Sequence, residues 1–193
     1  KFKEIGVRKE RPPWTMASGR ISDVEYDMWQ LYMDANLYAR ACTELLKKAG
    51  VCILDRKTCF VGLERDGIAM ALELARQTGA SAAFATKKRG GAEIVEFDLS
   101  SIERFVPVVD VHTAGTTYAR IYTALGGSER IADTALAFVN RSGNDKFLTI
   151  PHLADNPCRH LAEWRIIALV ETDEPGWEMK DCPPHILKRM YIA

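Results

Sequence analysis

The hydrophobic rhythm of the chain changes several times. Leu31, Tyr32, Ala35, Tyr38, Cys42, Leu45, Leu46 and Ala49 recur at spacings of three and four, which lines one face of a helix. Lys47 and Lys48 fall in its last turn, and Gly50 is placed to stop it. The period then shortens. Residues 60–63 form a continuous apolar run that reads as a buried strand. Residues 68–77 are rich in helix formers and are closed by Gly79, and 81–85 read as a second strand. After a charged stretch, 93–97 read as a hairpin arm. Residues 105–109 predict a buried strand, 117–125 a helix ended by Gly126-Gly127, and 134–139 and 164–170 two more strands. Strands alternating with helices predict an α/β fold, a central mostly parallel sheet flanked by helices.

The ends are less regular. Residues 1–22 are polar, carry Pro12-Pro13 and Ser18-Gly19, and predict an irregular arm. The Pro-, Cys- and Trp-rich tail from 174 to 193 predicts an extended cover, and arm and tail together predict a small hood on the sheet. With 193 residues and no internal repeat, a single domain over 1–193 is expected. The 47% of hydrophobic residues suffice for a core. The 26 Lys and Arg balance the 26 Asp and Glu, which argues against a protein that coats nucleic acid through surplus positive charge. A local cationic pocket remains compatible with that balance. No apolar run approaches the roughly 20 residues that span a bilayer, and the start, Lys1-Phe2-Lys3-Glu4, lacks a signal peptide's apolar core. The five cysteines, Cys42, Cys52, Cys59, Cys158 and Cys182, are odd in number and follow no scaffold spacing, so reduced thiols in a cytoplasmic protein are expected. Cys158-x-His160 and Cys182-x-x-His185 lack the repeated pairs of a zinc finger.

Chemistry concentrates in one loop. Val108, Val109, Asp110, Val111, His112, Thr113, Ala114, Gly115, Thr116 and Thr117 lead from a buried strand into a helix. Ligands of such sheets sit at the carboxyl ends of strands. Small residues from Thr113 to Thr117 let backbone N–H groups converge on an anion at the positive end of the helix, and Thr116 and Thr117 add hydroxyls. That suits a phosphate monoester, and Asp110 upstream suits a polyol, so together they predict a phosphorylated sugar. The loop has neither a Walker A ending nor G-x-G-x-x-G. The plainer reading is an ordinary strand-to-helix turn with an Asp cap.

The string VVDVHTAGTT resembles the phosphoribosyl pyrophosphate (PRPP) loop of type I phosphoribosyltransferases. Met16-Ala17-Ser18-Gly19-Arg20-Ile21-Ser22, followed by Tyr26-Asp27, resembles the Ser-Gly-Arg-x-Ser signature of the orotate branch. Gly62-Leu63-Glu64-Arg65-Asp66-Gly67-Ile68 resembles the turn that cradles pyrophosphate, Phe84-Ala85-Thr86-Lys87-Lys88-Arg89 the basic start of the mobile catalytic loop, and Phe138-Val139-Asn140-Arg141 the strand ending in Asp-Arg. The motifs keep the family's order from about residue 14 to 145. The resemblance implies that residues 109–117 surround the ribose 5-phosphate, with Asp110 on the ribose hydroxyls and, with substrate oxygens, on magnesium. It implies Thr113, Arg141 and Tyr26 at the base, and Glu64, Arg65, Asp66, Lys87, Lys88 and Arg89 at the pyrophosphate, with Asp110, Lys87 and Lys88 serving catalysis. It further implies PRPP and an orotate-like base as substrates and a homodimer.

Four features depart from the pattern. Val109 replaces the first of two acidic residues, Ala17 stands at a usual lysine, Asn140 replaces an Asp, and Gly90-Gly91 follow the basic run where a later Lys and His are usual. A second reading therefore stands beside the enzyme, a PRPP- or nucleotide-binding protein of the same fold with weakened turnover. Lys87 to Arg89 also read as a solvated turn, Glu64 and Arg65 as a structural salt bridge, and His112 as a bystander.

Overall fold

The computed structural model describes residues 7–16, 19–50, 56–88, 91–95, 98–143, 164–173 and 176–190. Its chain order is β1 (Val7–Thr15), β2 (Ile21–Asp27), α1 (Trp29–Met33), α2 (Ala35–Lys48), β3 (Thr58–Leu63), α3 (Asp66–Thr78), β4 (Ser81–Lys88), β5 (Gly91–Ile94), β6 (Arg104–His112), α4 (Thr116–Ala124), β7 (Thr134–Asn140), β8 (Arg165–Glu171) and α5 (Pro184–Met190). Six strands form the central sheet in the order β5-β4-β3-β6-β7-β8, parallel throughout except for β5. This is the predicted α/β architecture.

Both faces of the sheet are covered. On one, α2 and α3 pack Leu45, Leu46, Met70 and Leu74 against Phe60, Val106, Val108 and Phe138. On the other, Tyr118, Ala119, Ile121 and Tyr122 of α4 lie against Val109, Ala135 and Ala137 and against Cys59, Val61 and Phe105. Each fully buried large side chain contributes about 1.5–3 kcal/mol, so the sheet that carries the loops is rigid. The turn after β3 is equally tight. A Cβ on Gly62 would stand 2.0 Å from the Gly67 carbonyl oxygen, so only glycine permits this approach.

Among its described residues the amino-terminal arm is regular rather than irregular. β1 and β2 form an antiparallel hairpin whose register shifts between Glu10 and Trp14, around Pro12-Pro13. Such a bulge accommodates residues that lack an N–H or cannot hold strand geometry. The hairpin gains stability from distant contacts. Ile21 and Trp177 exchange backbone hydrogen bonds at 2.8 Å, and Ile21 packs with Cys182 and Ile186. The tail is likewise a cover but not an extended one. It holds a 3-10 turn at Met179–Asp181 and α5, with Pro184 at its first position, where a missing N–H costs nothing.

Two further boundaries differ from expectation. The predicted long first helix breaks at Asp34, whose carboxylate accepts the Leu37 N–H at 2.9 Å and starts α2. β4 runs on through Lys88, paired with β5 as Lys87↔Ala92 and Lys88↔Gly91. Lys87 and Lys88 are therefore strand residues, paired antiparallel with β5.

Candidate functional site

β6 ends at His112, and the chain turns through Thr113, Ala114 and Gly115 into α4. Gly115 takes φ 85°, a left-handed conformation that glycine adopts without strain, and no side chain caps the helix. The N–H groups of Thr116 and Thr117 at the start of α4 have no intrahelical acceptor. A cavity of about 130 Å³ opens there, lined by Met16, Val109 and the run from Val111 to Tyr118. Within it the Thr116 hydroxyl is buried and has no hydrogen-bond partner. An uncapped helix start beside an orphaned hydroxyl is a cradle for an anion.

His112 forms the wall behind this cup. It is 2% exposed and stacks on Tyr118, with ring centroids 5.3 Å apart. Tyr118 in turn donates to the Leu136 carbonyl at 2.9 Å, which fixes the pair. Burial pushes the imidazole pKa down to about 4, so the ring is neutral at physiological pH.

Asp110 is not among the residues lining the cup. It is half-buried on the α1 side of the loop, close to Tyr32 and Asp66. Burial, reinforced by the Asp66 charge, pushes its carboxyl up to about 6, while N–H groups of the loop and the Tyr32 hydroxyl pull the other way. Val109 turns its side chain into the apolar cluster under α4, 3% exposed, and brings no charge to the cup it lines.

The β3–α3 turn brings two more predicted residues to this end of the sheet. Glu64 accepts the Lys87 N–H at 2.8 Å, tying the turn to the basic hairpin. Lys88 is ion-paired with Glu93 across that hairpin. Arg65 and Asp66 line a second, wider groove of about 610 Å³ with Trp29, Tyr32 and Tyr38. Arg89, Ala17 and Ser18 lie outside the described residues, as do Cys52, Cys158 and His160.

The structure joins Arg141 and Tyr26, but in the hood. Arg141 donates through Nη1 to the Val24 carbonyl at 2.9 Å and through Nη2 to Ser22 Oγ at 2.8 Å, and its guanidinium lies 5.4 Å from the Tyr26 ring centroid. Tyr26 donates to Thr172 Oγ1 at 3.0 Å. Asn140 accepts from the Ser142 N–H and hydroxyl, so this departure is a buried cap that needs no charge. Sequence reasoning gave Met16 no role, although it opens the Met16–Ser22 motif and lines the cup. It also missed Tyr32 beside Asp110, because a helical-face tyrosine carries no signal beyond packing.

Hard oxygen donors suit magnesium, and Asp110 with its neighbour Asp66 provides two carboxylates in this corner. Among the described residues no group of three His, Cys, Asp or Glu side chains gathers. The residues fit a magnesium held mainly by substrate oxygens and touched by Asp110, rather than one caged by protein.

A parallel sheet with an amide-lined cup at the head of the helix after its central strand defines a type I phosphoribosyltransferase fold. The orotate phosphoribosyltransferase of Aeropyrum pernix is 31% identical over 137 residues, spanning 68% of this chain and 71% of the relative. That of Bartonella quintana is 26% identical over 155 residues, spanning 79% and 77%. The chain belongs to the orotate phosphoribosyltransferase family. No family model matches it. Among solved structures, the Aeropyrum pernix orotate phosphoribosyltransferase superposes with a TM-score of 0.63 at 24% identity, covering 100% of this chain and 97% of that one. An adenine phosphoribosyltransferase from Thermoanaerobacter pseudethanolicus gives 0.59 at 15%, covering 88% and 97%. These two likenesses establish the fold.

Proposed function

We propose that the protein transfers the ribose 5-phosphate of PRPP to a ring nitrogen of a pyrimidine-like base, releasing pyrophosphate. The observation that carries this reading is the cup, where an uncapped α4, a left-handed Gly115 and the orphaned Thr116 hydroxyl converge. The 5-phosphate would accept from those N–H groups and from Thr116 and Thr117, with Asp110 accepting from the ribose hydroxyls. In the reaction the ring nitrogen bonds to the anomeric carbon as the bond to the pyrophosphate oxygen breaks. Pyrophosphate leaves with the electron pair, and the ring N–H proton passes to solvent or phosphate. No protein nucleophile is required. The chain's part is to hold the sugar while positive charge meets the leaving group at Arg65, Lys87, Lys88 and Arg89. What magnesium supplies when bound, through substrate oxygens and Asp110, is neutralisation of that departing charge. Thr113 borders the base, and Tyr26 with Arg141 forms the hood above it.

Incubation with PRPP, magnesium and a panel of bases including orotate and uracil tests the proposal. Base-dependent pyrophosphate release is expected, and its absence with every base refutes the enzyme. A second reading, a PRPP- or nucleotide-binding protein with weak turnover, is favoured by Lys88 being paired to Glu93 and by Val109 facing the core. Calorimetry separates them, since tight PRPP binding without release fits only the second. We further propose a cytoplasmic homodimer. Trp29 on α1 and Leu72 on α3, 66% and 52% exposed, supply an apolar face for it, and light scattering reads the mass. No helix among the described residues is long and apolar enough to cross a membrane.

A further inference from the structure

The anion cup takes one wall from outside its own loop. Among the described residues lining it, all but Met16 belong to β6, α4 and the turn between them. Met16 lies in the turn from β1 to β2, where its N–H donates to the Arg20 carbonyl at 2.8 Å and its carbonyl accepts the Gly19 N–H at 2.9 Å. The carboxy-terminal segment holds the far side of that turn. Ile21 is fully buried, exchanges two backbone hydrogen bonds of 2.8 Å with Trp177, and packs on Cys182 and Ile186. Gly176, just before Trp177, makes the closest approach. A Cβ there would stand 2.6 Å from the Ile21 carbonyl oxygen and 2.6 Å from Met16 Cε. The Met16 side chain therefore meets the carboxy-terminal segment at its tip while it lines the cup.

An anion held by main-chain N–H groups gains from such a wall. Water competes for those donors, and each bond strengthens where water is kept out. Methionine is long and has three rotatable bonds, so it closes a gap in one fixed shape only where a neighbour confines its end. Here the close approach of Gly176 provides that confinement, and the Ile21–Trp177 bonds keep Gly176 in place.

We infer that the carboxy-terminal segment is part of the phosphate site, a strap whose Gly176 seats Met16 as the water-excluding wall of the cup. The inference rests on the phosphoribosyl reading and adds a positioning element to its phosphate subsite. Gly176 is a positioning residue, acting through Met16.

The full chain labelled with methyl-13C methionine tests it, by NMR and by titration calorimetry with ribose 5-phosphate. Wild type, Met16→Ala, Gly176→Ala and the double variant are compared. The Met16 methyl resonance, assigned by its loss in Met16→Ala, should shift when ribose 5-phosphate binds the wild type and should already be displaced in ligand-free Gly176→Ala. Each single variant should bind ribose 5-phosphate about tenfold more weakly, the order of one hydrogen bond to a charged group. The double variant should bind no more weakly than the worse of the two, because the strap acts through Met16. Losses that multiply in the double variant overturn the inference, since the strap then acts on the cup by another route. So does wild-type affinity in Met16→Ala, a variant that leaves the Ile21–Trp177 backbone bonds untouched and so decides the matter even if Gly176→Ala fails to fold. Either result leaves the phosphoribosyl reading standing. No binding of ribose 5-phosphate by the wild type refutes that reading and the inference with it.

Discussion

Two titratable groups on β6 oppose each other, and separating them tests the electrostatics of the site. The folded protein raises the Asp110 carboxyl from 3.8 to about 6, so between those values it holds a proton that the unfolded chain has released. Asp110 therefore adds stability as pH falls through 6, complete below 3.8. His112 is lowered from 6.5 to about 4. Across that window the unfolded chain binds a proton that the folded one refuses, so its contribution is full above 6.5 and is lost as pH falls towards 4. At about 1.4 kcal/mol per unit, each is worth about 3 kcal/mol. Between pH 6 and 4 the two slopes nearly cancel. Asp110→Asn should uncover the histidine, so that stability falls by about 1.4 kcal/mol per unit relative to wild type on acidification. His112→Gln should show the reverse slope. Urea unfolding followed by tryptophan fluorescence at pH 4, 5, 6 and 7, with chelator present, measures the slopes independently of each variant's fixed cost. Profiles of the two variants that run parallel to wild type would refute the assignment of these shifts to burial.

Other parts of the site give sharper single outcomes. Thr116→Val removes a buried hydroxyl that has no partner in the ligand-free protein, so unfolding should be unaffected or slightly harder while affinity for ribose 5-phosphate, read by calorimetry, drops about tenfold, the worth of one charge-assisted bond. Gly62→Ala places a methyl 2.0 Å from a backbone oxygen that cannot swing aside, and a melting temperature within a degree of wild type would contradict this packing. Val109→Asp, which restores the family's acidic pair, should destabilise the protein by about 3 kcal/mol in urea unfolding, because the new charge would lie unpaired under α4.

The parallel core was legible because its signals are local. The three-and-four spacing of α2, the apolar runs of β3, β6 and β7, and the glycines after α3 and α4 each specify an element without help from elsewhere. The amino-terminal hairpin was not, since the sequence of β1 is charged and proline-broken and its partner strand is held by Trp177, far along the chain. The break at Asp34 was hidden because the hydrophobic spacing runs through it, although Asp before a helix is itself a start signal. In the site, the cup could be read from small residues after a buried strand. The direction of individual side chains could not. Asp110 faces away from the cup, Val109 faces the core, and Arg141 faces the hood, and all three depend on which face of a strand end meets which neighbour.

That division has a physical basis, and it orders the departures from the family pattern. An anion cup made of main-chain N–H groups needs only a left-handed residue, small neighbours and an open helix start, and Gly115, Ala114 and Thr116 meet those needs. Recognition by side chains needs each group to be free at the site. Here Val109 is consumed by the α4 cluster, Asn140 by Ser142 and Arg141 by β2. These commitments support one another. Asn140, in place of an aspartate, caps Ser142 without leaving an unpaired carboxylate buried at the end of β7. Changing those side chains would thus disturb the hood, the strand end and the core together, whereas the main-chain cup would remain as it is.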